Sequence, residues 1–277
     1  MKKKITMLAA MAVMLIGAAG LLSACGGGGA QITDAQSLAA ANQAAQAGVE
    51  NYHMVMDMDM EMNVKMDTMK EIMGTDTLTM PMTMKMNMDA GKKTAHANSS
   101  MSMSMMGQSL DQDAEMYIDI AGGVTYTKAE GSDAWLRTET DSSMSDMMTS
   151  LADMDEKILT KAAYAETEDG YTLTLDAEAL GEDIKNLNLF RNYSDAGMEL
   201  KEFDIRSGQI EYTFDKKSAL LTRIVMKNVD VKAVGDMSGT SLEMQIPINA
   251  TIDYSDYGEI DAKAYEIPAE VTDSAGA

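Results

Sequence analysis

Between Met54 and Met66 apolar and polar residues alternate without interruption: Met54, Met56, Met58, Met60, Met62, Val64 and Met66 share one parity, and Asp57, Asp59, Glu61, Asn63 and Lys65 share the other. Successive side chains of a β-strand point to opposite faces, so this period of two predicts a strand with one apolar and one wet face. Leu78, Met80, Met82, Met84, Met86 and Met88 repeat the pattern, Asp89 to Lys92 offers a turn, and a third run carries Met101, Met103 and Met105. Joined as antiparallel neighbours, the three strands place their methionines on a common face. Pro81 falls inside the second run, where its missing N–H predicts an edge strand or a bulge. Upstream the period is helical. Leu38, Ala41, Ala45 and Val49 form one stripe, with Thr33 or Asp34 as the N-cap, which predicts a helix from Asp34 to Gly48. Downstream, strand-like runs alternate with turns at Gly122–Gly123, Glu130–Asp133, Arg206–Gly208 and Asp215–Ser218, and helical spacing marks Ser142–Ala163 and Ala177–Leu187.

Composition sharpens this pattern. The chain of 277 residues carries 30 methionines, whereas phenylalanine and tryptophan together supply only four side chains, so thioethers must do much of the filling that aromatic rings do elsewhere. The formal charge of −22 excludes a nucleic-acid partner, which needs a basic stripe. The N-terminus reads as an export signal: three lysines followed by an uncharged apolar run from Ile5 to Leu22. A run of that length also just suffices for one membrane span. The next residues, Leu22 to Cys25 (LSAC), match the bacterial lipobox instead, in which the cysteine receives a diacylglyceryl group and the peptide is cut just before it. Cys25 is the only cysteine in the chain, which excludes an internal disulfide and any thiolate cluster.

The expected organisation is therefore a signal peptide over residues 1–24, a lipidated Cys25 with a flexible glycine-rich tether over 25–33, one folded domain over 34–272 and a disordered tail over 273–277. Cleavage before Cys25 leaves 19 basic and 44 acidic side chains, a formal charge of −25. Two acyl chains hold such a body stably at a membrane whose anionic head groups repel it. The location this predicts is extracytoplasmic, at the bacterial cell membrane, with the diacylglyceryl group as the link to the membrane and the protein as a monomer.

The lipobox Leu22–Cys25, the first helix leading into NYHMVMDMDM, the stretch GGVTYTKAEGSDAWLRT and the closing run IDYSDYGEIDAKAYEIPAEV together resemble the LolA/LppX-like lipoprotein family and related Gram-positive surface lipoproteins of uncharacterised function. The resemblance implies an α+β fold: a strongly curved antiparallel sheet of about ten strands, an incomplete β-barrel, wrapped around two or three helices. It also implies that the space between sheet and helices holds acyl chains.

In that geometry Met54, Met56, Met58, Met60, Met62, Met80, Met82, Met84 and Met86 are the expected lining of a cavity for a lipid or other hydrophobic ligand. Methionine is unbranched and polarisable and suits surfaces that accept varied apolar shapes. Two other uses of the same side chains stand beside this one. They can pack as an ordinary filled core in a structural surface protein, or they can bind Cu(I), for which Met101, Met103, Met105 and Met106 have the M-x-M spacing of soft-metal segments. Exposed methionines can also scavenge oxidants. His53 and His96, the two histidines, are far apart in sequence and add nothing to a metal site at this level. The acidic stretch Asp57 to Glu61 lacks the turn glycine of a calcium loop and reads as a solvated strand face. No nucleophile elbow, zinc-protease helix, P-loop or dinucleotide motif is present, so neither enzymatic activity nor a cofactor is expected.

Overall fold

The computed structural model describes residues 31–65, 74–105, 107–139, 161–179, 198–237 and 240–275. Helix α1 (Ala35–Gln46) opens the domain. Its start is set by a reciprocal cap: the Asp34 carboxylate accepts from the Ser37 backbone N–H at 2.7 Å, and Ser37 Oγ accepts from the Asp34 N–H. That hydrogen bond also holds the Asp34 carboxyl below its ordinary range. Then follow β1 (Asn51–Lys65), β2 (Thr77–Gly91), β3 (Thr94–Met105), β4 (Gln108–Asp119), β5 (Val124–Ala129), β6 (Leu136–Glu139), β7 (Ala163–Glu166), β8 (Gly170–Asp176), β9 (Met198–Asp215), β10 (Leu221–Met237) and β11 (Thr240–Ser255). A single 3₁₀ turn (Ala262–Ala264) and the six-residue helix α2 (Ala269–Ser274) close the described chain.

All eleven strands lie in one antiparallel sheet, in the order β6-β5-β4-β3-β2-β1-β11-β10-β9-β8-β7. Each strand pairs with its neighbour in sequence except β6 with β7, and the first and last strands meet in the middle, His53 opposite Ser255 and Met60 opposite Ile248. The outermost strands β6 and β7 do not pair with each other, so the sheet is open. This corrects the α+β expectation. The described residues are mostly antiparallel sheet, and the two helices among them span only 12 and 6 residues. The period-two pattern runs through strands of 15 to 18 residues in β1, β2, β9, β10 and β11, which leaves little chain for helices to be wrapped.

Several local expectations change with it. The predicted helices Ser142–Ala163 and Ala177–Leu187 fall mostly outside the described residues, and Ala163 already belongs to β7. The Arg206–Gly208 turn does not form: β9 runs straight through it. Gly208, at φ +116°, instead lets β10 bulge against it, because a Cβ there would meet the Val229 Cα at 2.5 Å. The β10–β11 register shifts at that bulge, between Met226 and Val229. Pro81 stands opposite Glu61 of β1, and the β2–β3 ladder ends one residue short of it, at Met82 opposite Met103. On that side Pro81 is thus at a local edge of the sheet, as its missing N–H predicts. Helix α2 continues two residues into the stretch expected as a tail, and its Val271 is buried.

The sheet has two distinct faces. One carries the even-numbered methionines of β1 and β2 and continues through Ile248, Ile252, Ile224, Tyr212 and Leu173 of the other half in a single core, against which Leu38 and Ala35 of α1 pack. The other is polar over β1 and β2, and α2 lies on it farther out, where Val271 meets Val124 and Tyr126 with Tyr117 and Trp135 alongside. Gly91 passes directly beneath the Tyr265 ring of the closing segment, where any side chain would collide.

Candidate functional site

The strand registers put the methionines side by side. Met54, Met56, Met58, Met60 and Met62 of β1 stand opposite Met88, Met86, Met84, Met82 and Met80 of β2, and Met84 and Met82 stand in turn opposite Met101 and Met103 of β3. Directly opposed residues lie ~5 Å apart, so the thioethers form a continuous sheet-wide lane. Isoleucines, Ala250 and Tyr254 of β11 flank it on the other side of β1.

Access to the lane is graded. Met54 and Met56 are 0% exposed and Met58 2%. A side chain with no accessible surface borders no void that a water molecule could enter, so an acyl chain has no room beside these three in the closed molecule. Towards the other end the cover thins. Leu78, Met80 and Met103 are half-buried, Met105 is 42% exposed and Leu110, opposite Met103, is 43% exposed. The predicted lining residues thus share one face and one lane, with Met80 at its open end. Of the candidate copper ligands, Met101 is buried in the lane while Met105 faces solvent at its rim; Met106 and Cys25 lie outside the described residues.

At the closed end the lane meets a group of tyrosines that the parity argument passed over. The ring of Tyr52 lies 6.0 Å from Tyr254 and 6.2 Å from Tyr257. Burial pushes the Tyr52 and Tyr212 hydroxyls up to about 12 and Tyr254 and Tyr257 well above the ordinary tyrosine value, so all four stay protonated donors at neutral pH. Tyr257 uses its donor on the Leu221 carbonyl at 2.5 Å. Tyr254 Oη, though buried, has no hydrogen-bond partner, and neither has Asn42 Oδ1 of α1.

The model of a family of unknown function, DUF6612, matches residues 34–276, most of the chain. The chain belongs to DUF6612. No curated protein matches it. Among solved structures, the DUF6612 chain is similar to the crystal structure of a β-barrel-like protein of the domain of unknown function DUF1849 from Brucella abortus, at 12% identity over 73% of this chain and 99% of that one, with a TM-score of 0.24. It is similar also to the translocator domain of the autotransporter NalP from Neisseria meningitidis, at 7% identity over 79% and 93% of the two chains, with a TM-score of 0.18. At such TM-scores neither likeness bears on fold or function.

The polar face of the DUF6612 domain holds a second surprise. His53 and His96, 43 positions apart in sequence, lie in one cross-strand row on either side of Asp89. His53 Nδ1 is 2.7 Å from Asp89 Oδ1, while His96 stacks on Tyr117 at 4.5 Å and reaches Glu115 Oε1 at 3.1 Å. Both rings are thus occupied by carboxylates, and among the described residues no group of three or more His, Cys, Asp or Glu side chains is placed to hold a metal. Beside this row the face dips into an open groove of about 790 Å³, floored by Asp57, Lys85, Asn98, Asp113 and Glu115 and walled by Lys128. Sequence parity alone assigns these residues to the wet face. It gives no sign that the two histidines meet, because that depends on the register of three strands. Among the described residues no helix is long and apolar enough to cross a membrane.

Proposed function

We propose that the protein is an extracytoplasmic lipoprotein, held at the bacterial membrane by a diacylglyceryl group on Cys25, that binds a hydrophobic ligand, a lipid, along its methionine lane. An all-β domain with one continuous apolar interior is compatible with a binding role, and the kinship with LolA/LppX-like lipoproteins belongs to the same reading. The observation that carries it is the lane itself: thioethers in register across three strands, sealed at one end and progressively accessible at the other. A core serving stability alone gains from branched side chains with defined rotamers, whereas methionine side chains shift at little cost and remake a surface around a guest. The ligand enters at Met80, Met103, Met105 and Leu110 and displaces side chains from the rim inward. The protein carries no catalytic constellation in this reading and acts as a monomer.

Cu(I) binding is the second reading, supported by the cross-strand pairs Met84–Met101 and Met82–Met103, which bring four thioethers together. Native mass spectrometry of the purified mature protein distinguishes the two. The expected spectrum shows a diacylglyceryl modification on Cys25 and a population with co-purified lipid. Replacing Met101, Met103 and Met105 together by leucine keeps volume and apolarity, at under ~1.5 kcal/mol per site. That variant should stay folded and retain the lipid. Copper bound by the parent under reducing conditions and lost from the variant, with no lipid in either, would replace the lipid reading by the copper one; a bare protein in both would leave a filled structural core.

A further inference from the structure

The methionine lane ends on polar atoms that the fold leaves unused. Tyr254 stands opposite Met54 on the neighbouring strand, on the same face, and its hydroxyl is buried without a partner. Buried polar groups of native proteins are almost always paired, so an orphan of this kind asks for a reason. The second orphan, Asn42 Oδ1, belongs to α1, the helix whose Ala35 and Leu38 join the same core. Asn42 is one turn after Leu38, which is fully buried, and one turn before Gln46, whose side chain hydrogen-bonds Tyr257. Side chains four apart share one helix face, so Asn42 belongs to the stripe of α1 that meets the tyrosines. One orphan is a donor and the other an acceptor.

Helix α1 is a light cover for such a place. Its sequence is AQSLAAANQAAQ, and the buried side chains it contributes are Ala35 and Leu38 alone. Lifting it uncovers few large apolar contacts.

We propose that Tyr254 Oη and Asn42 Oδ1 together receive the uncharged, hydroxyl-bearing head group of a single-chain amphiphile whose tail lies along the methionine lane. This rests on the apolar-ligand reading and narrows it. A hydroxyl matches the pair, because its oxygen accepts from Tyr254 and its hydrogen is donated to Asn42. A carboxylate does not match. It has no hydrogen to give to Asn42, and the titratable neighbours that bear on Tyr254 are neutral tyrosines, with no lysine or arginine among them, so a buried anion there has nothing to offset its desolvation. The ligand class is thus a long-chain alcohol or a monoacylated polyol, in preference to a fatty acid anion.

The test compares three fluorescent probes on the mature protein: a pyrene-labelled long-chain alcohol, the matching carboxylate and the matching hydrocarbon without a head group. The parent should bind the alcohol more tightly than the carboxylate at pH 8. Tyr254→Phe should weaken the alcohol about tenfold, as expected for one neutral hydrogen bond, and leave the hydrocarbon unchanged. The ligand-free variant should melt no lower than the parent, because the hydroxyl it lacks had no partner; a purely structural hydroxyl would lower the melting temperature. Asn42→Leu supplies an independent check with the same expected pattern. Equal alcohol affinity in parent and both variants, or preference for the carboxylate, overturns the docking point while apolar binding stands. A parent that binds none of the three probes overturns both.

Discussion

At the scale of single residues, the face a side chain occupies decides what its substitution costs. Met58 is 2% exposed and ringed by other apolar groups, so Met58→Asp buries a charge with no partner and should cost more than ~3 kcal/mol in urea unfolding. Asp59 points to the opposite face, in water, and Asp59→Asn should stay within ~0.5 kcal/mol. Similar losses from the two would mean that the parity of β1 is reversed. This much was legible in the sequence, because strict alternation over Met54 to Met62 admits only two orientations and the acidic partners choose between them. The orphaned hydroxyl of Tyr254 was not legible. Its even parity places it on the Met face, but nothing in the chain says that a donor there lacks an acceptor, since that depends on β11 lying against β1 some 200 positions earlier in sequence.

At the scale of elements, the strands were readable and the reason some boundaries failed is physical. A glycine after an arginine and a serine at 206–208 resembles a turn, yet in β9 it serves close approach to the bulge of β10. The local signal for both uses is the same, a residue that tolerates positive φ. Gly208→Ala therefore should destabilise by at least ~1–3 kcal/mol, because it places a methyl group within 2.5 Å of the Val229 backbone at φ +116°. A midpoint of chemical unfolding equal to the parent's would show that the bulge relaxes freely. Among the described residues the helix-on-sheet layer expected for the fold shrinks to α1 on one face and α2 on the other.

At the scale of the whole molecule, the tyrosine group makes stability depend on alkaline pH. Tyr52 and Tyr212, raised by burial to about 12 from an ordinary 10.0, bind their protons more tightly folded than unfolded. Their contribution is complete below pH 10 and is lost as pH rises from there towards 12. Absorbance of tyrosinate from the buried rings should appear together with loss of the β-sheet circular dichroism signal, and titration of these rings near pH 10 with the sheet intact would contradict their burial. The sheet's topology has a further consequence, for the order of events in folding. Because β1 and β11 are neighbours at its centre, the first strand has only one permanent partner until the last has been delivered, with pairs such as His53 and Ser255 joined across almost the full domain. Contacts of such long sequence separation form late and slowly. A nascent chain of this design stays unfinished while it is being made, and its two half-sheets join only when the C-terminal strand has been delivered between them.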